Sequence, residues 1–514
     1  MNPRTRIALA ALLVLGLLGY RQFAKPGHGD SAPVATVAPG ADHAITRRLG
    51  SLGFTPCTLA TAFATQTVEA QCSHLLVPEN RAAPGGRKIS LAIAWLPAKG
   101  EAAADPMFMI AGGPGQSALE SFPGIAPAFA ELRKKRNVIL VDQRGTGGSN
   151  LLACRNAEGK NAFVEESSDG LTEARAFAER CARELSARAD LRFYSTSDAI
   201  QDLDAVREAI GASQINLMGV SYGTRVAQQY AKRYPAQTRT VTIDGVAPNS
   251  LVLGNDFAKN LESSLDRQFD RCAQDKACAE KLGNPRARLN ALMALLKTSP
   301  PLVRYRDAIT GEAKEEQLTP DHIATLARMF AYAPQVAGLL PLELNEAAQG
   351  RYEPLMALSK LLVGTLGDQM AAGMQLSVVC TEDADELKID PADADSLLGT
   401  DLVAVLQTQC AVWPRGQRPD GFRAPLTGPV PVLILSGEFD PVTPPRYGDE
   451  VLKSLPNARH LVLRGQGHNV LPVGCMPKLF AAFVDSADAK KLDVRCLDKV
   501  PYAQPFTGFY GWEP

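Results

Sequence analysis

Three side chains that lie far apart along the chain could together make an alcohol reactive. Ser221 sits in Gly219-Val220-Ser221-Tyr222-Gly223, directly after the apolar run Ile215-Asn216-Leu217-Met218. A serine between glycines at a strand end is the pattern of a nucleophile elbow, a tight strand-to-helix turn that strains the serine backbone and exposes its hydroxyl. A helix expected over residues 225–234, closed by Pro235, would point its N-terminal amides and dipole at developing negative charge. Serine is a poor nucleophile at neutral pH, so it needs a base within hydrogen-bond reach and an acid to orient that base. The acid is read at Asp440, in the loop Ser436-Gly437-Glu438-Phe439-Asp440-Pro441-Val442-Thr443-Pro444-Pro445, with Glu438 as its rival two residues upstream. The base is read at His468, in Gly465-Gln466-Gly467-His468. Of the six histidines, His28 and His43 lie in an N-terminal segment without periodicity, His74 follows Cys72, His322 falls in a helical stretch and His460 begins a strand. Only His468 is expected on a loop at a strand end, where open α/β sheets place their sites.

Acyl transfer also requires donors for the oxyanion, each worth about 3 to 4 kcal/mol of transition-state stabilisation. The backbone amide of Tyr222, next after the nucleophile, is one candidate. The other is Gly113, in Gly112-Gly113-Pro114-Gly115 after a strand expected over residues 107–111. The loop lacks the G-x-G-x-x-G and Walker lysine patterns of a phosphate cradle. This chemistry calls for no metal and no organic cofactor.

The elements that must position these groups follow from apolar periodicity. Residues 88–96 alternate as a half-buried strand, and residues 107–111, 138–141, 215–218, 241–244, 432–435 and 460–463 read as buried strands. Between them lie helical stretches such as 198–210, where Ile200, Leu203, Val206 and Ile210 recur at helical spacing. Such repetition predicts an α/β fold with a doubly wound, mostly parallel sheet. From residue 248 to 426 the rhythm stops, and helix follows helix with no convincing strand. Phe257, Leu261, Leu265 and Phe269 form one apolar stripe there, and Leu289, Leu292 and Leu296 another, both read as ordinary core. The expected organisation is a leader at 1–22, a tether at 23–44, a core in two parts at 45–247 and 427–514, and an inserted helical cap at 248–426.

Taken together, these motifs resemble the prolyl iminopeptidase and tripeptidyl aminopeptidase branch of the α/β-hydrolases. The likeness runs over nearly the whole mature chain. It rests on Gly112 to Gly115, on Asp142-Gln143-Arg144-Gly145-Thr146-Gly147-Gly148-Ser149, on the Ser221 elbow followed by Thr224-Arg225, and on the Asp440 and His468 loops, which resemble the tripeptidyl aminopeptidase subgroup. Ala111 stands where the family's glycine loop usually opens with histidine, a change of little consequence if the donor is backbone. The resemblance implies hydrolysis at the N-terminal end of short peptides, with a cap acid holding the free α-amine. Glu382, in Val378-Val379-Cys380-Thr381-Glu382-Asp383, is the first choice for that acid and Asp383 the second, against the ordinary alternative of a surface acidic pair. Asp142 and Arg144 are expected to brace the active-site loops. Two other functions fit the same residues: a carboxylesterase on the same triad, and a catalytically silent envelope-binding protein on a hydrolase scaffold.

Charge and cysteine usage bound the partners and the compartment. With 54 basic residues against 55 acidic ones, nothing favours a nucleic-acid partner. Arg4 and Arg6 precede an apolar stretch at residues 7–19, which reads as an export signal, either removed or retained as a membrane anchor. Ten cysteines, none in a C-x-x-C pair, fall into five local couples: Cys57 with Cys72, Cys154 with Cys181, Cys272 with Cys278, Cys380 with Cys410, and Cys475 with Cys496. Disulfides in those couples would fit a periplasmic or secreted protein. The sequence carries no sign of oligomeric state.

Overall fold

The structure, a computed structural model, describes residues 47–61, 66–155, 170–307, 310–366, 370–508 and 511. The expected leader and tether lie outside the described residues. Ten strands form one sheet in the order β1-β2-β3-β4-β6-β5-β7-β8-β11-β12. They are β1 (Arg47–Leu49), β2 (Leu52–Ala60), β3 (Thr67–Pro78), β4 (Lys88–Leu96), β5 (Met107–Ile110), β6 (Val138–Val141), β7 (Ile215–Val220), β8 (Thr238–Asp244), β11 (Val432–Gly437) and β12 (Ala458–Leu463). Pairings from β1 through β4 to β6 are antiparallel, and those from β6 through β5, β7, β8 and β11 to β12 are parallel.

Alternation along these strands divides the core into two layers, because successive side chains leave a strand on opposite faces. Phe108 and Ile110, Ile139 and Val141, Ile215 and Leu217, and Val432 and Ile434 join one apolar cluster; Met107 and Met109, Val138 and Leu140, Met218, and Leu433 and Leu435 join the other. Helices cover both layers. On the first lie α2 (Leu171–Ser186), α3 (Thr196–Ala209) and α4 (Tyr222–Arg233), contributing Phe177, Val206 and Val226; on the second lies α1 (Ala118–Ile125) with Phe122. Ser195 starts α3 through a capping box with Asp198, which satisfies two otherwise orphaned amides at its N-terminus.

The stretch after β8 carries α5 (Phe257–Gln274), α6 (Lys276–Leu282), α7 (Pro285–Thr298), α8 (Pro320–Ala331), α9 (Pro334–Ala337), α10 (Leu340–Ala348), α11 (Glu353–Leu366), α12 (Ala372–Glu382) and α13 (Asp401–Cys410). The chain then returns to the sheet and its helices α14 (Pro445–Leu452) and α15 (Met476–Ser486). Six of the seven stripe residues foreseen in the insert form its core, Leu261, Leu265 and Phe269 packing with Leu289, Leu292 and Leu296, while Phe257 is half-buried against the sheet's cluster instead. The expectation of an insert without strands is corrected, because β9 (Leu302–Arg306) and β10 (Ala313–Gln317) pair as an antiparallel hairpin. Val303 and Tyr305 bury one face of β9, whereas the sequence of β10, Ala-Lys-Glu-Glu-Gln, has no apolar alternation that could have announced it. No described helix is long and apolar enough to cross a membrane.

Candidate active site

The turn after β7 holds Ser221 at φ 55° and ψ −123°, a conformation that a residue with a side chain adopts only at a cost of about 1 to 3 kcal/mol. Its flanking glycines are imposed by close approach. A Cβ on Gly219 would lie 2.3 Å from the Gly223 carbonyl oxygen, and one on Gly223 would lie 2.5 Å from the carbonyl oxygens of Ile110 and Ala111. Thr224 pins the turn, its hydroxyl donating to the Ser221 carbonyl at 2.6 Å and accepting the Ala247 amide at 2.8 Å. The Ser221 amide donates to the carbonyl of Asp244 at 2.9 Å.

Asp440 and His468 meet. The Nδ1 of His468 lies 2.7 Å from Oδ2 of Asp440, and both side chains are buried. Asp440 also accepts the amides of Val442 and Thr443 at 2.9 and 2.8 Å and the Thr443 hydroxyl at 2.9 Å, so its carboxylate is fixed in orientation as well as position. Burial alone would raise the Asp440 carboxyl, but the imidazole beside it and these amides hold it below the usual carboxylate range. Burial alone would depress His468, and the charge and hydrogen bond of Asp440, with the charge of Asp244, raise it above the usual histidine value. Glu438, the rival acid, is turned elsewhere, accepting the Gly465 amide at 2.7 Å and the Tyr502 hydroxyl at 3.1 Å. Among the other histidines, His460 bridges Ser436 and Asp449, and His322 closes the capping box of α8 with Thr319.

The glycine loop runs beside the nucleophile: a Cβ on Gly112 would come within 3.0 Å of the Ser221 Cβ. Gly113 follows, and Tyr222 is the first residue of α4, so its amide is one of those that a helix leaves without an internal acceptor. Asp142 braces this loop, as the sequence suggested. Its Oδ1 accepts the Ser117 hydroxyl at 2.7 Å and the Leu119 amide at 3.0 Å, and its Oδ2 accepts the Gly148 amide at 2.9 Å. Arg144 is fully buried, forked onto Asp202 at 2.6 and 2.7 Å and donating to the carbonyls of Glu79 and Phe193. From the insert, the Ala371 amide donates to the Gly115 carbonyl at 3.0 Å, tying that segment to the same loop.

Glu382 and Asp383 do not lie at the surface. They are 1 % and 0 % exposed, at the C-terminal end of α12. Glu382 accepts the Thr196 amide at 2.6 Å and its hydroxyl at 3.0 Å and lies 3.5 Å from Arg225; Asp383 pairs with Arg225 at 3.2 Å and Arg423 at 2.8 Å. Their oxygens are engaged by Thr196, Arg225 and Arg423, so the pair is buried against Arg225 on α4, which corrects the surface-pair expectation. Thr196 links Glu382 onward to the Tyr222 hydroxyl at 2.7 Å.

Sequence reasoning passed over Thr443, Thr196 and Asp244. A hydroxyl three residues beyond the acid and an aspartate closing a buried strand before a glycine were the available signals. Among the described residues, no group of three or more His, Cys, Asp or Glu side chains could hold a metal.

Comparison with known proteins gives the family. The serine protease Hip1 of Mycobacterium tuberculosis is 25 % identical over 490 residues, covering 86 % of this chain and 90 % of the relative. The tripeptidyl aminopeptidase of Streptomyces lividans is 29 % identical over 194 residues, 34 % of this chain and 35 % of that protein. Carboxylesterase B of Mycobacterium tuberculosis is 27 % identical over 335 residues, 60 % of this chain and 63 % of that protein. Among solved structures, the proline iminopeptidase of Mycobacterium smegmatis aligns with a TM-score of 0.39 at 17 % identity, over 80 % of this chain and 98 % of that one. The family model described as alpha/beta hydrolase fold matches residues 105–474, a span that contains the Ser221 elbow, Asp440 and His468, and this chain belongs to that family.

Proposed function

We propose that the protein is an exported serine peptidase that releases residues or short peptides from the free N-termini of peptide substrates. The observation that carries the chemistry is the buried Asp440–His468 pair, held at 2.7 Å with its imidazole against Gly245, next to the residue whose carbonyl accepts the amide of Ser221 in its strained elbow conformation. In the proposed reaction His468 takes the hydroxyl proton as Ser221 forms a bond to the scissile carbonyl carbon. The carbonyl π pair moves onto oxygen, and the amides of Tyr222 and Gly113 stabilise that oxyanion. Collapse expels the amine, which receives the proton from His468, and leaves an acyl-enzyme. Water, deprotonated by the same histidine, then releases the acid and regenerates Ser221.

Peptidase activity is supported by the Hip1 relative, which spans 86 % of this chain, and N-terminal specificity by the tripeptidyl aminopeptidase relative. Export is supported by five disulfides, which persist in oxidising compartments. The carboxylesterase relative favours a second reading on the same nucleophile, with esters as substrates. A panel of peptide amides with free and acetylated N-termini separates the two. The aminopeptidase hydrolyses only the free series, while an esterase prefers ester analogues and ignores acetylation. Ser221→Ala should lower turnover by about 10⁴-fold or more, and full activity in that variant would overturn both readings.

A further inference from the structure

Asp244 ends β8 with its side chain fully buried and both oxygens in use. Oδ1 accepts the Val470 amide at 3.0 Å and Oδ2 the Leu471 amide at 2.8 Å. These amides follow His468 and Asn469, the latter in the left-handed region at φ 68°. The main chain of the same residue accepts the Ser221 amide at 2.9 Å. One aspartate therefore grips the nucleophile turn with its backbone and the histidine loop with its carboxylate.

The next residue, Gly245 at φ 70°, receives the imidazole itself: a Cβ there would lie 2.7 Å from Cε1 and 3.0 Å from Nδ1 of His468. The ring is thus seated on bare backbone one residue from the acceptor of the Ser221 amide. The charged groups acting on the imidazole are Asp440 and Asp244, with the Thr443 hydroxyl 3.3 Å from Nδ1 and the Tyr332 ring packed edge-on. Those acting on the Asp244 carboxylate are His468 and Asp440. Burial pushes the Asp244 carboxyl up to about 6, against the pull of the two amides.

We infer that Asp244 is a positioning residue for the reaction: it fixes the Ser221 turn and the His468 loop relative to one another and supplies a second negative charge to the imidazolium that forms as Ser221 attacks. This inference rests on the assignment of Ser221 and His468 as nucleophile and base. Asp244→Asn keeps the shape, offers an acceptor to only one of the two amides and removes the charge. It should lower kcat by about 10- to 100-fold, as a displacement of about 1 Å in a reacting group does, with KM changed by less than about twofold. Labelling of Ser221 by a fluorophosphonate should slow in the same proportion. The acid limb of the kcat/KM profile should move to lower pH, because the imidazolium loses one of its two carboxylates. A role confined to stability would lower the melting temperature and leave that limb in place. Asp244→Ser, smaller and also uncharged, is the companion variant and should shift the limb in the same direction. A folded Asp244→Asn enzyme with unchanged kcat and an unmoved acid limb overturns the inference, as does loss of fold in both variants, which would assign the residue to the scaffold alone. Failure of the wild-type protein to label at Ser221 would instead sink the assignment on which the inference rests.

Discussion

At His468 the balance of opposing effects sets when the proposed enzyme can work. An imidazole in a buried position loses hydration of its charged form and would titrate low, yet a carboxylate at 2.7 Å and a second one nearby reverse that tendency. A general base acts only when neutral, and a raised value means that the proton leaves at higher pH. We therefore expect kcat/KM for a free peptide amide to rise with pH through a midpoint above about 6.5, the ordinary histidine value. Asp440→Asn should move that midpoint down and reduce kcat by about 10⁴-fold, since the ring loses both its orienting acceptor and its main counter-charge. A steady-state pH profile of the two proteins checks this, and a wild-type midpoint at or below the ordinary value contradicts the electrostatic account. Asp440 could be chosen from its place after β11, but the sequence alone left Glu438 in contention. The choice is made by the Tyr502 hydroxyl and the Gly465 amide, which hold Glu438 away. Neither partner is near it in sequence, so no local pattern could have revealed the outcome.

Between elements, the decisive contact is the seam where α12 meets α4. Arg225 is fully buried, donates to the Leu251 carbonyl and pairs with Asp383, with Glu382 close by. Removing one partner from a buried ion pair typically costs about 3 to 5 kcal/mol, because the remaining charge has neither water nor counter-ion. Arg225→Leu should therefore lower the apparent melting temperature by several degrees. The sign of its pH dependence follows from Glu382, whose carboxyl burial already pushes up to about 7 against the pull of Arg225. A group raised in the folded state favours folding when protonated, and that contribution is lost as pH rises through the folded value. Without the guanidinium the shift grows, so the deficit against wild type should be larger at pH 8 than at pH 5.5. Thermal scans at both pH values test it, and a deficit independent of pH would show that lost packing dominates. Legibility at this scale followed periodicity: β4 and β6 were readable to the residue, and so were the apolar stripes of the insert apart from Phe257, which is half-buried against the sheet's core. The strands β2 and β3 were not foreseen. The proline at position 56 breaks the strand signal of β2, yet it lies beyond the described pairing with β1 on the side away from β3, a place where a missing donor is tolerated. Burial of the Glu382–Asp383 pair was equally invisible, because it depends on an arginine about 160 positions earlier that folds onto it.

Over the molecule as a whole, five disulfides join the couples that proximity in sequence suggested, and among the described cysteines none is free. They close stretches of 6 to 30 residues, so each constrains a local unit instead of tying distant parts together. On the chain-entropy account, loops of that size stabilise by about 2 to 4 kcal/mol each. Their surroundings differ. Cys154 with Cys181, Cys272 with Cys278, and Cys380 with Cys410 are buried in apolar clusters, whereas Cys57, Cys72, Cys475 and Cys496 are partly or fully accessible. A reductant thiolate must reach the sulfur it attacks, so mild reduction of the folded protein should open Cys57–Cys72 and Cys475–Cys496 first. Peptide mapping after alkylation should find label at those four positions and none at the other six until denaturant is added. Cys57–Cys72 joins β2 to β3 and Cys475–Cys496 ties the start of α15 to the C-terminal segment, so peptide hydrolysis should survive this first stage. Activity should fail only when Cys380–Cys410 opens, because Cys380 lies two residues before Glu382 on the helix that holds Arg225. Loss of activity in step with the first two bridges would mean that the outer strands and the C-terminal segment, and not the seam under α4, keep the site assembled.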